Sequence, residues 1–218
     1  MDASNRLTGL QRDFLDVWFA QSKDFFLTGG GALIGFYGLP RTTQDIDLFT
    51  TSAAAFSRVP AGVHDCCATL AAQGTAMVTS PHFRRFRVER GDETTLVDFV
   101  EDLAPQVFPE KTLRDGFILD PAQEIAVNKV CAIVSRSEPR DFYDLQFLAQ
   151  QGFDPEEALR LANQKDGGVN EETLAMVLQS LPWDQFRIPN LETSETSRFF
   201  VAWLERLILK LHPHQPGA

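Results

Sequence analysis

Cysteine is scarce: Cys66, Cys67 and Cys131 are the full complement in 218 residues, an odd number with two of them adjacent. That is no disulfide framework, and a reducing, cytoplasmic location is the expectation. Basic charge is in deficit too, with Lys plus Arg at 20 against Asp plus Glu at 30 and a formal net charge of −10. A wholly basic coat for nucleic acid is excluded, so any polyanion would have to be gripped by a local patch or through bound cations. The longest uncharged stretch, 25–40, is broken by Gly29-Gly30-Gly31 and is too short to cross a bilayer. Asp2, Arg6, Arg12 and Asp13 precede any apolar run, which is not the order of a secretory signal. What is present, 44% hydrophobic and 23% charged residues, is an ordinary globular composition with material for a core.

Leu10, Phe14, Leu15, Val17, Trp18 and Phe19 recur at helical spacing and predict a first helix ending near Asp24. A short β-prone run, 25–28, stops at the glycines, and 32–37 predicts a buried helix ended by Gly38 and Pro40. Polar and apolar residues alternate through 44–49, which is strand period. Two more strands, 83–89 and 94–100, are expected to form a hairpin about Arg90-Gly91-Asp92. From Pro121 the pattern is helical almost throughout (121–136, 139–150, 155–163, 171–181 and 196–211), with a linker expected at 182–194. The expected fold class is α+β: a mixed sheet flanked by helices over 1–120, followed by a helical C-terminal region over 121–218.

Asp45 and Asp47, one residue apart on a strand, must project from the same face while Ile46 and Leu48 enter the core. Two carboxylates that close repel unless a cation sits between them, and oxygen-only ligation suits Mg²⁺. A solvent-exposed acidic strand face would read the same way. Upstream, a glycine turn between a strand and a helix N-terminus lets backbone N–H groups approach a phosphate. A plain tight turn needs the same glycines. The succession of strand, glycine turn, helix and paired aspartates is more specific than either piece.

The runs Leu27-Thr28-Gly29-Gly30-Gly31-Ala32-Leu33 and Arg41-Thr42-Thr43-Gln44-Asp45-Ile46-Asp47-Leu48-Phe49 resemble the signature of minimal nucleotidyltransferases related to DNA polymerase β. Within that superfamily the chain is most similar to the AbiEii/AbiGii-type toxins of toxin–antitoxin and phage-exclusion systems. Glu124 to Val130, then Arg136 and Arg140 to Leu145, resemble that family's downstream Lys and Arg-Asp motifs. The resemblance implies a nucleotidyltransferase-like sheet, a nucleotide whose triphosphate lies against Gly29 and Gly30, and Mg²⁺ held by Asp45 and Asp47. It further implies a third carboxylate at Asp98, nucleotide contacts from Lys129 and Arg136, and a functional role for Asp141.

Gly31 departs from the Ser or Thr usual at that position, with Thr28 near enough in sequence to replace the hydroxyl. The implied activity is transfer of a nucleoside monophosphate from an NTP to an acceptor hydroxyl. RNA or tRNA is the implied acceptor, and a cognate antitoxin protein the implied partner. The alternatives open at this point are a catalytically silent nucleotide- or partner-binding module and a transferase using a sugar-nucleotide donor. Arg85 and Arg87, on one face of the basic run 82–87, could grip an RNA backbone or only protect an edge strand.

Overall fold

The computed structural model describes residues 6–212, so Asp2 lies outside them. The chain divides into two compact units, residues 1–104 with 108–122, and residues 105–107 with 123–218.

The first unit is built on a seven-stranded mixed sheet. Its strands are β1 (Phe26–Thr28), β2 (Asp45–Thr50), β3 (Gln73–Thr79), β4 (Phe83–Arg90), β5 (Glu93–Glu101), β6 (Thr112–Arg114) and β7 (Phe117–Leu119), in the order β3-β4-β5-β2-β1-β7-β6. Alternation does the sorting. Ile46, Leu48, Val97, Phe99, Phe86 and Val88 are buried on one face, while Asp45 and Asp47 stand half-buried on the other. Against the buried face lie α1 (Gly9–Gln21), α3 (Ala53–Ser57) and α4 (Val59–Thr69). Trp18 of α1 seals the layer, its ring 4.6 Å from Phe99 and 5.2 Å from Phe25.

Thr8 and Gln11 close α1 with a reciprocal capping box. The buried Gln11 amide then donates to Thr43 O at 3.0 Å and Thr95 Oγ1 at 3.2 Å, so the cap of α1 also fixes the start of β2. The helix expected at 32–37 begins earlier, as α2 (Gly29–Phe36), with the glycines forming its first turn. The sequence pattern had not indicated α3, α4, β3, β6 or β7.

The second unit is helical: α5 (Ala122–Arg136), α6 (Pro139–Gln150), α7 (Pro155–Lys165), α8 (Glu171–Ser180) and α9 (Ser194–Leu211). Prolines open α6 and α7, where the missing N–H costs nothing. The segment 182–194 is not the linker its composition implies. Trp183 and Phe186 pack at 5.6 and 5.8 Å on Phe142, and Trp183 stacks on Phe200 at 5.7 Å, so the stretch completes this unit's core. Among the described residues no helix is long and apolar enough to cross a membrane.

Candidate active site

Strand register lines up one polar row across the open face of the sheet. Thr28 of β1 pairs with Asp47 of β2, Asp47 with Asp98 of β5, and Asp98 with Arg85 of β4. Directly paired residues share a face, so these four side chains stand side by side, with neighbouring strands about 4.8 Å apart. Asp45 stands two residues from Asp47 on the same face and accepts the Thr43 hydroxyl at Oδ1. At the other end Thr28 donates its hydroxyl to Asp120 Oδ2 at 2.6 Å, and Lys111 Nζ meets Asp120 Oδ1 at 2.6 Å.

The glycine turn reaches this row. Gly29 has φ +60°, and a Cβ placed on it would come within 2.9 Å of Asp47 Oδ2. A Cβ on Gly30 would come within 2.7 Å of the Arg41 guanidinium. At Gly29 the left-handed φ strains any side chain as well, so glycine is needed there; at Gly30 the opposing atom is the mobile end of Arg41, which a small side chain would push aside. Gly31 faces elsewhere: its Cβ position lies 3.4 Å from Ile46 Cγ2 and Leu27 Cδ1, inside the apolar layer. A hydroxyl there would point at the core, while the Thr28 hydroxyl is committed to Asp120.

Asp98 is 4% exposed and both its oxygens are held by Arg85, Nε to Oδ1 at 2.7 Å and Nη2 to Oδ2 at 2.6 Å. The Asp98 hydrogen bond strengthens protonation of the Arg85 guanidinium; burial opposes it, and the charges of Asp98, Asp45 and Asp47 reinforce it. Arg87 shares the face and meets Glu89 Oε2 at 3.2 Å.

Two half-buried carboxylates on one strand beside the glycine turn are a hard-oxygen donor pair, and their chemistry fits a divalent cation. Asp98 is not a third donor in this arrangement, because Arg85 holds it. Accordingly, among the described residues no group of three or more His, Cys, Asp or Glu is set to hold a metal ion.

Lys129, Arg136 and Asp141 belong to the second unit. Ser137, in the left-handed region at φ +53°, and Pro139 make the turn from α5 to α6. Lys129 Nζ lies 2.8 Å from Asp141 Oδ1 and 2.7 Å from Asp144 Oδ2, and Arg136 Nε lies 2.8 Å from Asp141 Oδ2. Burial pushes the Lys129 pKa down, but the charges of Asp144 and Asp141 outweigh it and the value ends above the ordinary one. For Asp141, burial raises the pKa and the nearby Lys129 and Arg136 outweigh it, holding the carboxyl below the usual range. Both groups are therefore ionic at neutral pH.

Sequence reasoning missed Arg41, Lys111, Asp120 and Asp144. Arg41 and Asp144 lie inside the recognised runs and could have been singled out. Lys111 and Asp120 flank the three-residue strands β6 and β7, which carry no readable period.

Residues 13–203 match the family model described as the nucleotidyl transferase AbiEii toxin of type IV toxin–antitoxin systems. A protein from H. pylori proposed to be a nucleotidyltransferase superposes with a TM-score of 0.58, covering 95% of this chain and 96% of its own at 18% identity. JHP933 from Helicobacter pylori superposes with a TM-score of 0.56, covering 94% and 91% at 22% identity. Both likenesses are of fold. No curated protein sequence matches the chain.

Proposed function

This chain belongs to the AbiEii family of nucleotidyltransferase toxins, and from that membership we propose that it transfers a nucleoside monophosphate from an NTP to an acceptor hydroxyl on RNA, tRNA in particular, under control of a cognate antitoxin protein in the cytoplasm. The observation that carries the reading is the convergence of the Gly29 backbone on the Asp47 carboxylate. A tight strand-to-helix turn accounts for the glycine itself; what supports a ligand site is that the turn brings the N-terminus of α2 to the paired carboxylates.

Asp45 and Asp47 would hold Mg²⁺, which supplies charge neutralisation between the phosphates and the acidic pair. Gly29 and Gly30 leave the first N–H groups of α2 open to the triphosphate, where the helix dipole adds partial positive charge. The acceptor oxygen attacks the α-phosphorus, the bond to the β-phosphate breaks and pyrophosphate leaves. Asp98, on the neighbouring strand, would join the acidic pair once Arg85 releases it, and there help a cation lower the pKa of the acceptor hydroxyl, whose proton passes to solvent. Positioning and charge neutralisation account for most of such a rate. Lys129, Arg136 and Asp141 carry the downstream motif and are assigned to support of turnover. Arg87, with its side chain 44% exposed, offers a cation to the acceptor backbone.

The test is incubation of the chain with each α-labelled NTP, Mg²⁺ and total RNA. Label should enter the RNA with an equal amount of pyrophosphate released. Nucleotide bound with no pyrophosphate from any of the NTPs would overturn the reading in favour of a binding module.

A further inference from the structure

A carboxylate as buried as Asp98 needs a counter-charge, and Arg85 supplies it through a two-pronged fork of short N–H bonds. The pair is lopsided in a way that a purely structural bridge need not be. The Asp98 side chain is 6% exposed and that of Arg85 is 35% exposed, so the guanidinium reaches the acid from the open side of the sheet and can withdraw without backbone movement. Phe83, two residues earlier on the same strand face, has its ring centre 5.8 Å from the guanidinium carbon, so the cation keeps an aromatic neighbour beside the acid it pairs with. The acid being neutralised is paired in register with Asp47, the residue against which the glycine turn closes.

We propose that Arg85 is an exchangeable counter-ion that competes with a divalent cation for the Asp98 carboxylate, setting the cation concentration at which the acidic row fills. The proposal rests on the reading above that Asp45 and Asp47 hold such a cation. Its physical content is a competition: a cation reaching Asp98 meets the like charge of the guanidinium and has to weaken or displace its two charge-assisted hydrogen bonds. Arg85 is thus a positioning residue acting through Asp98, and the basic run at 82–87 serves the acidic row as well as any polyanion outside it.

Mn²⁺ titration of the full chain, followed by the electron paramagnetic resonance of the free ion, is the test. It compares the unsubstituted chain with Arg85→Ala, Arg85→Lys, and Arg85→Ala combined with Asp98→Asn. Arg85→Ala should bind Mn²⁺ roughly tenfold more tightly. Arg85→Lys, which keeps the charge but loses the fork, should gain less, and the gain should vanish in the combined variant. Binding by Arg85→Ala equal to or weaker than that of the unsubstituted chain overturns the counter-ion role. It leaves the reading of Asp45 and Asp47 standing if their replacement by Asn abolishes Mn²⁺ binding. Mn²⁺ bound by none of these chains overturns both. Should Arg85→Ala fail to fold, an unchanged Kd in Arg85→Lys overturns the counter-ion role and a lowered Kd upholds it.

Discussion

Asp45→Asn combined with Asp47→Asn is expected to cut nucleotide transfer by a factor on the order of a thousand or more while the chain stays folded. Both side chains stand half-buried on the open face, and the residues between and beside them, Ile46 and Leu48, carry the packing. Asparagine keeps the acceptor that the Thr43 hydroxyl uses at Asp45, so the local hydrogen bond survives. Removing two like charges from one strand relieves their repulsion and also takes away their attraction to Arg85, so thermal stability should change little. The measurement is pyrophosphate release alongside the melting temperature. Turnover within tenfold of the unsubstituted chain would take these residues out of the mechanism.

Lys129→Met is expected to destabilise the second unit by about 3–5 kcal/mol, because it removes the buried cation shared by Asp141 and Asp144 and leaves Arg136, on the Asp141 side alone, to offset two buried carboxylates. Urea denaturation monitored by Trp fluorescence checks this, and Trp183 and Trp203 lie in that unit. Lys129→Met combined with Asp141→Asn and Asp144→Asn should recover much of the loss, since the three buried charges are then gone and Arg136, which loses Asp141, is exposed to solvent. A loss under about 1 kcal/mol in the single variant would mean that the cluster does not hold the fold.

The pH dependence has two signs. The Lys129 pKa is raised, so its contribution is complete below about pH 10, near the unfolded lysine value, and is lost as pH rises through the folded value. The Asp141 pKa is lowered, so its contribution is present above about pH 4 and is lost as pH falls through the folded value. Between those limits the cluster's contribution should be flat.

The family and the α+β class were legible because they rest on local signals. Period-two alternation marks β2, proline starts and period-3.6 apolar residues mark α5 to α9, and the glycine run stands between a strand and a helix. Two kinds of feature were not legible. Edge strands bury too little and short strands are too brief to leave a pattern: β3, with Met77 51% exposed, shows no alternation, and β6 and β7 have three residues each, although Phe117 and Leu119 of β7 are buried. Segment 182–194 reads as a linker from its prolines and polar residues, yet Trp183 and Phe186 are core.

Cross-strand partners are the other hidden layer. That Asp98 is neutralised by Arg85, or that Thr28 spends its hydroxyl on Asp120, follows from strand order and register. Thr28 and Asp120 are far apart in sequence, whereas Arg85 and Asp98 face each other across the expected β4–β5 hairpin, whose register decides the pairing. The row Thr28, Asp47, Asp98 and Arg85 comes from four strands separated by up to 70 residues, so no spacing rule could have assembled it.

The most direct test of the central claim is a crystal structure of the chain grown with Mn²⁺ and a non-hydrolysable NTP analogue, read by anomalous scattering. The account predicts a manganese peak bridging Asp45 and Asp47, with the triphosphate laid over the Gly29 and Gly30 backbone. Manganese away from both aspartates, or a nucleotide bound with its phosphates remote from the α2 N-terminus, would contradict it.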